Sequence, residues 1–225
     1  MYNPHTRELY ETLMRLREYA SAVEGFLERE AEALGSRLEE EAKRFPEDER
    51  GEYFEVHALD IVEISHEMPT LLRHSVVTAA DAALERYLMD TCRTHATLNQ
   101  KPWPPSPPWR SPLGGARKYL KSVAGIAFPD QDRSWTAVLR LRELRNAIVH
   151  ADADVSSLAA LRQWLQEQEH VTVSVDYTVS FETHFLDDAL SWYRQFAEAL
   201  DSACEQLGLW ASVFPPEEDV PGASS

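Results

Sequence analysis

Residues 141–153 read LRELRNAIVHADA and combine one apolar helical face with several polar side chains. On a helix that turns by about 100° per residue, Leu141, Leu144 and Ile148 lie on the same side. This spacing predicts a core helix over about 133–151, and helices with one apolar face bury it by packing against other helices. The stretch therefore favours an all-α fold and leaves the arginine and histidine within it to be explained.

Helical periodicity continues on both sides of this stretch. The pattern predicts a long amphipathic helix over about 5–45, because apolar residues recur there at alternating spacings of three and four. It also predicts helices over about 53–67, 70–95, 156–168 and 183–207, and a short basic helix over about 116–125, with Pro69 stopping or kinking the second helix. The alternating segment HVTVSVDYTVSFET predicts a hairpin over 170–182.

These elements add up to an all-α fold, an antiparallel helical bundle with a long N-terminal helix and one small β-hairpin. The expected organisation is an amphipathic N-terminal helix over 1–50, the bundle over 51–209 and a flexible acidic tail over 210–225. A proline-rich loop over 99–115 holds six prolines together with Trp103 and Trp109. It is interpreted as a stiff connection packed by its tryptophans, with a polyproline ligand or an aromatic substrate loop as the alternative.

Composition limits the classes of protein that the chain can belong to. Hydrophobic residues make up 44% of it, and it has neither an apolar run of membrane-spanning length nor a signal segment, so we expect a cytoplasmic protein without a membrane partner. Cys92 and Cys204 both fall in predicted helices and are expected to be reduced, packed thiols. No cysteine or histidine spacing is typical of a metal site, so no metal or other cofactor is expected.

Charge is distributed unevenly along the chain. The net charge of −16 argues against generic nucleic-acid binding, and against DNA as a partner, because a surface that binds phosphates should be basic. Residues 101–150 nevertheless carry nine basic and only three acidic residues. One basic segment in an acidic protein therefore ends at the opening stretch.

Arg142, Asn146 and His150 are spaced four apart and are expected to form a polar ridge away from the core face. Arg145 flanks that core face instead, about 140° around the helix from His150. Two arrangements could bring its guanidinium to the imidazole: the arginine curls around the helix end near Ala151, or a second copy of the helix comes from a symmetric partner. Without such an arrangement, the histidine is a helix cap or a solvated residue, and the arginine reaches a nearby carboxylate.

The six residues RNAIVH resemble the R-x(4–6)-H signature of the HEPN superfamily, in which a polar residue often follows the arginine. Arg145, Asn146 and His150 match that signature one by one. The order of a core helix, a basic segment, the motif helix and a late helix is also similar to HEPN proteins outside the nucleotidyltransferase-paired branch, and covers roughly 52–207. The sequence differs from one branch of the superfamily at Asp152, where toxins regulated by tyrosine modification have a tyrosine.

The resemblance implies a homodimer with a metal-independent endoribonuclease site at its interface, as in toxins or antiphage defence nucleases. Arg145 would bind the phosphate, Asn146 would orient it or the imidazole, and two copies of His150 would transfer protons. RNA would be cut to 2′,3′-cyclic phosphate and 5′-hydroxyl ends, and an antitoxin or regulatory protein is a candidate partner. The candidates for holding flanking RNA phosphates are Arg142, Lys118, Lys121, Arg117 and Arg110, with ordinary surface charge as the alternative for each.

A second hypothesis gives the chain no catalytic activity. A HEPN-like dimer could act as a protein- or nucleotide-binding module, which the net charge and the heptad-like spacing of the acidic first helix favour. A third hypothesis combines the two: the acidic N-terminal helix or tail shields the basic cleft until a signal releases it.

Overall fold

The computed structural model describes residues 4–103 and 111–207 and confirms an all-α helical bundle with a long N-terminal helix and one small β-hairpin. The elements are, in chain order, α1 (Pro4–Ala42), α2 (Arg50–Val56), α3 (Ala58–Val62), a π-helical turn (Glu63–Glu67), α4 (Met68–Leu98), α5 (Pro112–Ser122), α6 (Arg133–Ala151), α7 (Ala159–Gln166), β1 (Val171–Val173), β2 (Val179–Phe181) and α8 (Thr183–Gln206). Helix α6 has the bounds that its apolar spacing predicted.

Two helices begin earlier than the sequence indicated, and each has a proline in its first turn. Helix α5 starts at Pro112 and so includes residues that were assigned to the proline-rich loop. Ser111 caps it by accepting a hydrogen bond from the backbone N–H of Gly114, and a proline in the first turn needs no hydrogen bond of its own. Pro69 is the second residue of α4 and directly follows the π-helical turn, so the backbone stays helical there and the irregularity lies next to the proline that was predicted to stop or kink the helix.

The chain divides into two compact units, each assembled from segments that are distant in sequence. The first unit comprises the described parts of residues 1–11, 82–138 and 192–225, and the second comprises residues 12–81 and 139–191. Helices α1, α4, α6 and α8 contribute residues to both. The predicted boundaries at residues 50 and 209 stay predictions, and the tail over 210–225 lies outside the described residues.

The core of the first unit contains a cluster of aromatic rings. The ring centroids of Phe128 and Trp135 are 4.9 Å apart, and both rings pack on Phe196 of α8. Cys92 and Cys204 are buried free thiols in this unit, as predicted. Burial raises the pKa of the Cys204 thiol to about 12, so both cysteines serve as apolar core residues.

The second unit buries the apolar face of α6 and anchors the hairpin. Leu141 and Leu144 are fully buried there. The hairpin contacts α4, because Arg73 donates a hydrogen bond to the carbonyl of Phe181 (3.0 Å) and His74 donates one to the carbonyl of Val179 (3.0 Å). Burial lowers the pKa of His74, against the raising effect of that hydrogen bond.

The segment before α4 differs from every other helical part of the second unit. Neither α2, α3 nor the π-helical turn contains a buried residue. The apolar residues that this segment and the start of α4 leave exposed are Phe54, Val56, Leu59, Ile61, Val62, Met68 and Leu71. Exposed apolar residues this numerous in one short segment are typical of an interaction surface rather than of a free monomer surface.

Candidate functional site

The C-terminal half of α6 presents a buried face and an exposed face. Leu141 and Leu144 form the buried face, whereas Asn146, Val149 and His150 are exposed. Leu139 is 41% exposed, and helical geometry places it within about 20° of Asn146 and His150 around the axis. One stripe of α6 therefore carries both polar candidates and an unburied leucine.

A buried carboxylate in α4 organises the two arginines of the site. The Asp81 side chain is 1% exposed, and the Nη1 of Arg142 donates a hydrogen bond to its Oδ2 at 2.7 Å. The Nε of Arg145 lies 3.8 Å from the same oxygen. The two arginines can share one carboxylate because residues three apart on a helix lie on adjacent turns of the same side.

Arg142 is therefore not the exposed member of a polar ridge that the sequence indicated. Its side chain is 18% exposed, and its guanidinium is bound to Asp81. A buried carboxylate requires a partner of opposite charge, and this need competes with any role of Arg142 in holding RNA. The assignment of Arg142 as a residue that binds flanking phosphate stays a prediction, and this ion pair opposes it.

Arg145 connects the buried acid to the exposed face of α6. Its Nη1 donates a hydrogen bond to the Oδ1 of Asn146 at 3.1 Å, and its side chain is 24% exposed. The Nε end faces Asp81 without a hydrogen bond, which leaves the guanidinium more weakly held there than Arg142. The arrangement positions the guanidinium beside an exposed amide, where an anion from solvent can approach it.

His150 lies in the last turn of α6. Among the described residues its imidazole forms no hydrogen bond or ion pair, and its side chain is exposed. The helix ends at Ala151 because Asp152 and Ala153 adopt left-handed backbone conformations, and the N–H of Ala153 donates a hydrogen bond to the carbonyl of Ala147 at 3.0 Å. Among the described residues no hydrogen bond joins His150 to Arg145, and helical geometry sets the two residues about 140° apart around the axis of α6.

The hairpin fixes the turn that follows His150. The N–H of Val155 donates to the carbonyl of Tyr177 at 3.0 Å, and the N–H of Val179 donates to the carbonyl of Ala153 at 3.2 Å. Since the residues next to the motif are tied to the hairpin through the backbone, the end of α6 is held in place independently of the side chain of His150.

The predicted RNA-binding residues of α5 belong to the first unit and fall into two groups. Arg117 donates a hydrogen bond to Asp130 at 2.6 Å, and Lys121 contacts the second oxygen of the same carboxylate. The hydrogen bond from Arg117 lowers the pKa of Asp130 and outweighs the raising effect of burial, with Lys121 acting in the same direction. Lys118 is exposed and forms no hydrogen bond or ion pair with the described residues.

Two candidates of the proline-rich loop lie outside the described residues: Arg110 and Trp109. Trp103 is described, and its ring packs edge-to-face on Tyr119 with 5.6 Å between the ring centroids. This contact agrees with the interpretation that a tryptophan packs the connection onto the fold.

Sequence reasoning missed Asp81, although a signal was present. Asp81 lies four residues after Val77 and three before Leu84, both fully buried, so the helical spacing of α4 itself places it on the apolar side. A carboxylate at such a position needs a buried cation, and α6 supplies two. A second missed group, His170, Glu182 and His184, lies at the base of the hairpin and has the side-chain types that can hold a metal ion.

Comparisons of the chain with protein-family models, curated proteins and solved structures gave no match. No helix within residues 4–103 and 111–207 combines the length and the apolar character that crossing a membrane requires.

Proposed function

We propose that the chain is a metal-independent endoribonuclease of the HEPN type, acting as a toxin or an antiphage defence nuclease, whose site is shared between two copies of the chain. The observation that carries the proposal is the exposure of His150 and Asn146 on one face of α6, beside Arg145 held by the buried Asp81. An exposed imidazole without a partner among the described residues and a guanidinium that contacts a buried carboxylate are the two groups needed to bind and cleave a phosphodiester, once a second copy brings them together.

The second copy supplies what one chain lacks. Leu139 and Val149 are 41% and 46% exposed, and pairing α6 with its symmetric copy would bury them. The two-fold axis would then place two imidazoles and two guanidinium groups in one cleft. This arrangement removes the need for Arg145 to reach around its own helix toward His150.

The chemistry follows from these groups. One His150 imidazole takes the proton from the ribose 2′-OH as the 2′-oxygen attacks phosphorus, and the other donates a proton to the 5′-oxygen as the P–O5′ bond breaks. Arg145 stabilises the charge that develops on the non-bridging oxygens, and Asn146 orients the phosphate or the imidazole. The products are a 2′,3′-cyclic phosphate and a 5′-hydroxyl, and DNA resists because it lacks the 2′-OH.

Purified protein incubated with RNA in EDTA tests the proposal. We expect cleavage by the parent and by His66→Ala, which removes an exposed histidine elsewhere in the second unit. His150→Ala and Arg145→Ala should each reduce cleavage at least about a hundredfold, because general acid–base and electrostatic contributions have that size. If both variants cut as fast as the parent, the assignment is wrong.

The dimer needs its own test. Leu139→Glu should lower the mass measured by light scattering from that of two chains to that of one, and should abolish cleavage while the far-ultraviolet circular dichroism spectrum stays unchanged. Cleavage by a strictly monomeric variant would refute the shared site. On expression in cells, we expect growth arrest that His150→Ala relieves.

A second candidate function is an interaction module, and the exposed apolar segment before α4 favours it. Residues 47–67 carry eight acidic residues and one arginine together with that segment's exposed apolar residues. A cleft of about 270 Å³ adjoins it, lined by Glu28 and Glu32 of α1, by Ile64 and Pro69, and by Glu24, whose carboxylate is paired with Arg73 at 2.6 Å. This combination of charge and apolar area suits a basic amphipathic helix of a partner protein, and repels a second copy of this acidic chain.

An amphipathic peptide of leucine and lysine is the probe for this surface, with a scrambled peptide of equal composition as the control. Fluorescence anisotropy should show that the parent binds the amphipathic peptide more tightly. Leu59→Asp, at a residue 80% exposed, should weaken binding at least tenfold, whereas Val175→Asp, at a fully exposed residue of the hairpin turn, should leave it unchanged. Equal binding of both peptides, or equal effects of both substitutions, would exclude this module.

A further inference from the structure

Three side chains with metal-binding chemistry meet where the hairpin joins α8. His170 directly precedes β1, Glu182 directly follows β2, and His184 lies in the first turn of α8. The strand register pairs Val171 with Phe181, so His170 and Glu182 stand opposite each other at the open end of the hairpin. The backbone N–H of Glu182 donates a hydrogen bond to the carbonyl of His170 at 2.9 Å.

The side chains of these residues are also close to one another. The Nδ1 of His170 lies 3.0 Å from the Oε2 of Glu182, and the imidazole rings of His170 and His184 stack with 4.8 Å between their centroids. One ligand atom from each of the three residues lies within 4.8 Å of the other two. His170 adopts a left-handed backbone conformation (φ 62°), which the hydrogen bond from Glu182 helps to hold.

We propose that His170, Glu182 and His184 form a binding site for a divalent transition-metal ion. Zinc is bound by imidazole nitrogen and carboxylate oxygen at about 2.0–2.2 Å, which places ligand atoms of a tetrahedral site about 3.3–3.5 Å apart. The ligand atoms of these exposed side chains now lie within 4.8 Å of one another. Rotation of the side chains, which moves those atoms by about 1–1.5 Å, brings them to that spacing without movement of the backbone. Two imidazoles favour Zn²⁺, Ni²⁺ or Cu²⁺ over Mg²⁺ and Ca²⁺, which prefer all-oxygen sites.

The electrostatic surroundings favour a cation at this position. Residues 163–193 contain six acidic residues and neither lysine nor arginine, although Arg17 of α1 pairs with Asp187 and Arg73 of α4 donates a hydrogen bond to the carbonyl of Phe181. Among the described residues, no lysine or arginine forms an ion pair with Glu182, whose carboxylate contacts His170 instead. Since no basic side chain of the described residues pairs with it, this carboxylate can bind a metal ion together with the two imidazoles.

The exposure of all three ligands indicates a site with open coordination positions that water would fill. The ion would join both ends of the hairpin to α8, and the same hairpin holds the turn after His150 through its backbone hydrogen bonds to Ala153 and Val155. We therefore assign the metal a stabilising role in this part of the second unit, a role that does not depend on ribonuclease activity.

Isothermal titration of tag-free, EDTA-treated full-length protein with ZnCl₂ tests the site. We expect one high-affinity equivalent of Zn²⁺ per chain, accompanied by a rise in melting temperature. His170→Ala and His184→Ala should each weaken Zn²⁺ binding at least tenfold and abolish the rise, whereas His66→Ala should change neither. Circular dichroism in EDTA should be the same for all variants, because the substituted side chains are exposed.

Two further measurements complete the test. Glu182→Gln should weaken Zn²⁺ binding while leaving the melting temperature in EDTA unchanged, and a hundredfold excess of Mg²⁺ should not displace Zn²⁺. The proposal is overturned if the two histidine variants bind Zn²⁺ as tightly as the parent, or if Mg²⁺ competes at equal concentration. Neither result bears on RNA cleavage, which is measured in EDTA.

Discussion

The shared carboxylate of Asp81 predicts a large difference between two arginines that stand three residues apart. Arg142 forms a 2.7 Å hydrogen bond with a carboxylate that is 1% exposed, whereas Arg145 approaches it only to 3.8 Å. Replacing each arginine with methionine keeps the packing of the stem and removes the charge. The two substitutions form a matched pair, because they change the same side chain on the same helix beside the same acid.

Arg142→Met should cost about 1.5–3 kcal/mol of the free energy of unfolding, because it removes a charge-assisted hydrogen bond from a buried carboxylate. Arg145→Met should cost about 1 kcal/mol or less, because the Asp81 carboxylate keeps its bond to Arg142. Denaturation by urea, followed by far-ultraviolet circular dichroism and linear extrapolation, measures both. Losses of equal size, or a larger loss for Arg145→Met, would refute this account of the site.

A double substitution separates charge from packing. If the cost of Arg142→Met comes from the lost hydrogen bond to the Asp81 carboxylate, adding Asp81→Asn should recover part of the lost stability, because an amide is less costly to bury than a charge. Additive destabilisation by the two substitutions would show that the loss arises from packing instead. The same cycle tests whether Arg145 depends on Asp81, since RNA cleavage should fall in Asp81→Asn although the Arg145 side chain is intact.

Three further predictions follow from burial and exposure. Burial lowers the pKa of His74 in the folded chain below its ordinary value of 6.5, so the unfolded chain binds the proton more readily and the melting temperature should fall as the pH drops from 7 to 5. His74→Gln should make this fall smaller. The same fall in the variant as in the parent would contradict the prediction. Cys92 and Cys204 should resist a thiol reagent in the folded protein and react fully in urea, so rapid labelling without denaturant would show that they are not buried. Lys118→Glu should weaken RNA binding and reduce the slope of its dependence on salt concentration (log–log) by about one, without changing the melting temperature. Lys43→Glu, an equal change of charge in the turn after α1, should leave RNA binding unaffected.

The parts of the fold that the sequence predicted correctly are those that local periodicity determines. The apolar spacing of Leu141, Leu144 and Ile148 gave the bounds of α6, and alternation over 170–182 gave the hairpin. The sequence pattern did not predict the start of α5 at Pro112, because a proline-rich stretch indicates a loop. Proline is nevertheless well accommodated in the first turn of a helix. Local sequence patterns thus predict which elements form, and they predict the first and last residues of each element only to within a few positions.

The candidate site was less predictable because its geometry depends on contacts between distant residues. Helical spacing placed Arg142 on an exposed ridge, but an acid sixty-one positions earlier holds its guanidinium. Likewise, spacing along the chain gave no reason to associate His170 with Glu182, twelve positions away, until the hairpin register set them opposite each other. Such pairs are tertiary contacts, which a helical wheel or a motif scan does not contain.

EDTA should affect the proposed metal site and leave the proposed ribonuclease site active. EDTA should lower the melting temperature by removing an ion from His170, Glu182 and His184, yet RNA cleavage at temperatures well below melting should continue, because the proton transfers at His150 use no metal. Loss of cleavage in EDTA with an unchanged melting temperature would indicate a catalytic metal, and would contradict both proposals at once. The two measurements on one sample therefore separate an ion that holds the hairpin from an ion that takes part in the reaction.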